Sequence, residues 1–413
     1  MLIHWLWLAT RGCLSDRSRY QLLTHFADAE EIYYADEASL ARVEELSEEA
    51  LAVLKDKSLQ PAEKILAICS REKIRILTWQ DAAYPHRLKN IPDPPVVLYY
   101  KGHLPDFDSL PLIGVVGTRH ASAYGLSAAK RMGYQIAACG GIVVSGLAAG
   151  VDAMAMRGAL AANAPVIGVL GCGADVVYPL SNRALFADTE KYGCILTEFP
   201  PGTPPAKWNF PKRNRIISGL SCGVLVVEAP EGSGALITAR QANDQGRDVY
   251  VVPGNIDVDT CKGSNALLRD GAIVASSGWD VVGEYEHLFP GKIRQSTAPL
   301  PKMEEMSQEE NPLPKVAQKP KLPVKKAEKG ILGKKKVIDN DGVTPYIDAE
   351  AKRPALTPEE EKIVALLENG DCLADELIAR LELPVSKVLA TLTMLEIKGV
   401  VQRLPGKRVE LKK

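Results

Sequence analysis

Between about residues 71 and 288, short apolar runs rich in β-branched residues alternate with alanine-rich stretches, and this alternation most constrains the fold. The runs are Leu112–Val116, Ile142–Val144, Val166–Leu170, Ile195–Thr197, Val224–Val227, Val249–Val252 and Ile273–Ala275. Between them lie stretches with helical composition, such as Ser127–Ala138 and Ala153–Ala162. Strands that are apolar on both faces and separated by helices predict a mostly parallel, doubly wound α/β sheet covered by helices on both sides. In such a sheet the ligand site is expected where loops leave the carboxyl ends of the strands.

Flanking segments differ in character. Residues 1–70 read as a small all-α domain: Leu22, Leu23 and Phe26 share one helical face, and Leu40, Val43, Leu46, Leu51 and Leu54 continue the pattern. Residues 71–289 form the α/β core. Residues 290–354 read as a disordered linker, since nine lysines against the single acid Glu328 lie between Lys315 and Lys336, with prolines and no aromatic residue. Residues 355–413 read as three helices, at about 358–368, 373–380 and 384–398, then a hairpin of Val400–Leu404 and Arg408–Leu411, which suggests a winged helix.

Composition narrows the functional classes. The formal net charge is -1, so a surface for a polyanion has to be local. The eight cysteines form no C-x-x-C pair, which argues for a reducing compartment and against a metal site. No apolar run reaches the ~20 residues of a membrane helix, and the first residues lack a basic n-region, so a cytoplasmic protein is expected.

Candidate chemistry lies in the loops at strand ends. Gly117, Thr118, Arg119 and Ser122 follow the strand ending at Val116 and offer a close backbone approach, hydroxyls and a guanidinium fork. Ser145 and Gly146 open a loop of small residues that ends in Asp152, which could bond a sugar hydroxyl or cap a helix. The Gly171-Cys172-Gly173 loop lacks the third glycine of a dinucleotide fingerprint, so no nicotinamide cofactor is expected. Ser233, Gly234 and Thr238 form a further candidate anion cradle. The stretch Phe210-Pro211-Lys212-Arg213-Asn214-Arg215 places three cations and an amide beside an aromatic ring, with Trp208 two residues earlier. It reads as a loop clamping phosphates, with Phe210 offering a stacking face, or else as the start of an amphipathic helix with solvated cations. No nucleophile stands beside a base, so the site is expected to hold anions rather than break bonds.

Taken in order, these motifs resemble the DNA-processing protein A (DprA/Smf) family. The residues carrying the resemblance are Gly117-Thr118-Arg119, Ser145 to Asp152, Gly171 to Asp175 with Tyr178-Pro179 and Asn182, Glu198 to Gly202, Phe210 to Ser221, Ser233 to Ala239, and Val252-Pro253-Gly254. The resemblance implies an extended Rossmann-like core, an N-terminal domain of the sterile-alpha-motif or helix-hairpin-helix kind and a C-terminal winged helix. It implies a non-catalytic homodimer that binds single-stranded DNA, protects incoming strands in natural transformation and helps load the RecA recombinase, with single-stranded DNA-binding protein a further partner. By the same likeness Arg119 holds a phosphate, while Lys207, Arg213 and Arg215 line the backbone track. Phe210 contacts a base, and Asn214 with Ser233-Gly234 completes the pocket. No cofactor is implied. Two alternatives stay open: a nucleotide hydrolase resembling phosphoribohydrolases, although the run Glu231 to Ala239 lacks their catalytic glutamate, and a winged-helix regulator of duplex DNA.

Overall fold

The computed structural model describes residues 1–43, 46–296 and, in the C-terminal segment, the helix 358–367, three short strands and scattered positions between 371 and 411. The linker expectation falls mostly on residues outside these, as do most of the helices expected at 373–380 and 384–398. The chain divides into two units, Met1–Val316 and Ala317–Lys413.

In the first unit, nine strands form one sheet: β1 (Arg75–Thr78), β2 (Val97–Gly102), β3 (Leu112–Val116), β4 (Ile142–Ser145), β5 (Val166–Val169), β6 (Cys194–Thr197), β7 (Gly223–Val226), β8 (Asp248–Val251) and β9 (Ile273–Val274). Their spatial order is β1-β2-β6-β5-β4-β3-β7-β8-β9. All pairings from β6 to β9 are parallel, as expected from the βα alternation. Strands β1 and β2 were not among the expected runs. They pair antiparallel at one edge, outside the alternation, and their four- and six-residue spans mix charge with apolar residues.

Both faces of the sheet are buried because successive side chains point to opposite sides. Ile113, Val115, Val143, Val166 and Leu225 pack in one core with α8 (Ala123–Ala138), α9 (Val151–Ala161) and α14 (Gly278–Val282). Leu112, Val116, Val144, Ile167, Val224 and Val226 pack in the other with α11 (Asn209–Leu220) and α12 (Gly234–Asp244). Each such side chain, fully removed from water, contributes roughly 1.5–3 kcal/mol. The remaining core helices are α7 (His86–Lys89), α10 (Arg183–Tyr192) and α13 (Lys262–Arg269).

Six helices precede the sheet: α1 (Leu2–Thr10), α2 (Asp16–His25), α3 (Ala29–Tyr34), α4 (Glu37–Leu40), α5 (Glu48–Lys55) and α6 (Gln60–Arg71). Ser15, Asp28, Asp36 and Ser47 cap α2 to α5 with side-chain oxygens, which defines where each begins. Their apolar faces share a core with Val96, Val97 and Tyr99 at the antiparallel edge.

The second unit contains α15 (Pro358–Leu367) and a three-stranded sheet of β10 (Cys372–Leu373), β11 (Val401–Leu404) and β12 (Arg408–Leu411). The β11–β12 pair is the antiparallel hairpin expected from the sequence. The β10 strand lies where a helix was expected to begin.

Candidate functional site

The strand order reverses at β3, which lies between β4 and β7, so the loops leaving β3, β4 and β7 converge at one end of the sheet. A cavity of about 140 Å³ opens there, lined by Arg119 and His120 after β3, Gly146, Ala148 and Ala149 after β4, and Gly171 and Cys172 after β5. Tyr178, Pro179, Phe210 and Arg213 complete its wall. This is the topological switch point where a doubly wound sheet binds ligands.

Arg119 and Phe210 come together at this mouth. The guanidinium carbon lies 4.8 Å from the Phe210 ring centroid, and Arg119 is exposed. Tyr178 sits 5.6 Å from the Phe210 ring at an interplanar angle of 31°. Lys207 and Trp208 are exposed immediately before α11, Trp208 at 78%. Among the described residues, neither Arg119 nor Lys207 has a carboxylate partner. Two unneutralised cations beside an exposed aromatic face suit a ligand that carries both phosphates and planar bases.

The Phe210–Leu220 stretch is a helix, α11, rather than the loop of the first reading, and its cations are not solvated as the second reading had it. Arg213 is 4% exposed. Its Nη1 donates to the carbonyl of Gly146 at 2.8 Å and to that of Val169, stitching α11 to the ends of β4 and β5. Burial pushes Arg213 down to about 10, and the nearby Asp152 works against that shift. The site therefore holds Arg213 as a structural cation in the floor of the cavity, not as part of an exposed track.

Arg215 departs from the expected track in the same way. It is 3% exposed and forms ion pairs with Glu198, with Asp16 at 3.1 Å and with Asp93 at 3.2 Å. Burial opposes its charge, but those carboxylates outweigh it and its pKa is raised. Lys212 is half exposed and is also paired, with Asp16 at 2.8 Å and Glu198 at 3.7 Å. The separation follows from helical geometry, because residues two apart on α11 face different directions. Lys207, ahead of the helix, escapes both partners.

Several other expected contacts are occupied within the fold. Gly117 is a glycine because a Cβ there would meet Val151 at 2.5 Å, so close packing by α9 explains it. A Cβ on Gly146 would likewise meet Arg213 at 2.5 Å. Thr118 is buried, and its hydroxyl accepts from the His120 amide at 3.2 Å. Ser145 donates to the Val115 carbonyl at 2.6 Å and is fully buried. Ser122 and Ser233 cap α8 and α12. Thr238 donates to the Gly234 carbonyl at 3.4 Å. Asn214 does reach the fourth loop, where its Nδ2 donates to Gly234 O at 3.3 Å, although its Oδ1 is taken by Arg213.

Asp152 lies buried in the first turn of α9 and accepts from the Gly146 amide at 3.1 Å, so it braces the β4 loop. Burial raises its pKa, partly countered by Arg213. Leu147, in that loop, has a φ of 54°, and its carbonyl accepts from Asn182 Nδ2 at 2.9 Å. Tyr178 in the cavity wall and Glu228 behind the first loop carried no assigned role in the sequence. The signals for them were an aromatic residue inside an ordered motif and an acid closing an apolar strand.

Comparison with known proteins agrees with this site. The family model for DNA recombination-mediator protein A matches residues 75–286, and that for the DprA winged helix domain matches 348–407. The chain is 36% identical over 348 residues to Protein Smf of Synechocystis sp., covering 81% of this chain and 80% of that protein. It is 41% identical over 237 residues to DNA processing protein DprA of Bacillus subtilis, covering 57% and 78% respectively. The X-ray structure of DNA processing protein A from Streptococcus pneumoniae superposes with a TM-score of 0.59 at 33% identity, covering 69% of this chain and 98% of that one. With its core and winged helix both matched, the chain belongs to the DNA recombination-mediator protein A family.

Proposed function

We propose that this protein binds single-stranded DNA without catalysis, protects incoming strands during natural transformation and helps load RecA onto them. In this reading it works in the cytoplasm as a homodimer, alongside single-stranded DNA-binding protein. What carries the reading is the pairing of Arg119 with the Phe210 face at the switch point, with Lys207 unneutralised nearby. Arg119 and Lys207 contact successive phosphates, and Phe210, with Tyr178 beside it, offers a stacking surface that accepts any base. A single strand exposes its bases to such a surface, whereas a duplex keeps them stacked. Among the described residues no helix is long and apolar enough to cross a membrane.

A salt series of fluorescence anisotropy with a labelled single strand tests this. Arg119→Ala and Lys207→Ala are each expected to weaken binding and to reduce the slope of log affinity against log salt by about 0.7. Unchanged affinity and slope in both variants would overturn the reading.

A further inference from the structure

Glu228 directly follows β7 and is 1% exposed. Its Oε1 accepts from the Ser122 amide at 3.1 Å, and its Oε2 accepts from the Ser122 hydroxyl at 2.8 Å. Its backbone carbonyl accepts from the Thr118 amide at 2.7 Å. These three bonds bracket Arg119, one just before it and two just after it. Among the described residues no ion pair neutralises Glu228. The first turn of α8 also makes room for the carboxylate, since a Cβ on Gly125 would overlap Oε2.

A buried carboxylate without a cation is unfavourable unless hydrogen bonds hold it, and nearly all of these come from one loop. Its negative charge is also the wrong sign to contact a phosphate directly. We propose that Glu228 is a positioning residue that pins the Gly117–Ser122 loop so that the Arg119 guanidinium stays over Phe210. This rests on the reading that Arg119 binds phosphate. Without the anchor, the loop samples other conformations and Arg119 has to be ordered when the strand binds.

The test is a set of double-mutant cycles on the full-length protein, read as single-strand affinity and salt slope. Glu228→Ala is expected to weaken binding and to lower the salt slope by up to one contact, about 0.7. In an Arg119→Ala background it should add little further loss, whereas with Lys207→Ala the fold-losses should multiply. Glu228→Gln keeps an acceptor for the Ser122 amide and should bind more tightly than Glu228→Ala. If Glu228→Ala does not fold, Ser122→Ala enters the same cycle with the same expectation. Wild-type affinity in Glu228→Ala, losses that multiply fully with Arg119→Ala, or equal losses in the Gln and Ala variants would overturn the role of Glu228 alone. No effect of Arg119→Ala would bring down the phosphate reading, and this role with it.

Discussion

Arg213 and Arg119 bear the same charge a few ångströms apart in function, yet solvent access separates what their loss does. Arg213 donates to two strand-end carbonyls from a buried position, so Arg213→Ala leaves those carbonyls and Asp152 without their cation. Removing one member of such a buried polar set destabilises by about 3–5 kcal/mol, and urea denaturation should show that loss. Arg119→Ala should leave stability within about 0.5 kcal/mol, because the side chain is exposed. Phe210→Ala is expected to lose about 1–3 kcal/mol of single-strand affinity, measured by anisotropy, with the salt slope nearly unchanged because no charge is removed. A loss of slope in Phe210→Ala would mean that the ring acts by holding Arg119, not by stacking.

At the scale of elements, α2 and α11 are joined by charge. Asp16 on α2 faces Arg19, Lys212 and Arg215. Burial raises its pKa, but the cations outweigh this and hold the carboxyl below its ordinary value of 3.8. A group with a depressed folded pKa contributes stability above its unfolded value and loses it as pH falls through the folded one. Asp16→Asn should therefore destabilise by about 3 kcal/mol at neutral pH, with the difference shrinking as pH falls below 3.8. Urea denaturation at both ends of that range measures it, and a pH-independent difference would contradict the ion-pair account. Glu198 runs the other way: burial pushes its carboxyl above 4.5, only partly offset by Arg215 and Lys212. The strands from β3 onward were legible in the sequence because period and composition are local signals. The antiparallel edge and the Asp16–Arg215 pairing were not, since they join residues far apart in the chain. The site was legible as a set of loops and cations, but burial sorted Arg119 and Lys207 from Arg213 and Arg215, and burial is a tertiary property.

For the whole molecule, the division at residue 316 separates the sheet and its cavity from the winged-helix unit. Every residue assigned to the interface lies in the first unit, so a chain ending at Ser296 should keep its single-strand affinity within a few-fold. The central claim is that the β3-to-β7 switch point grips an unpaired strand through its phosphates and its exposed bases. The most direct measurement is a competition titration of full-length protein with single-stranded and double-stranded oligonucleotides of equal length at one salt concentration. The account predicts that the single strand binds more tightly and that Arg119→Ala with Lys207→Ala narrows the gap. Equal or tighter binding of the duplex, unaffected by those two substitutions, would contradict it.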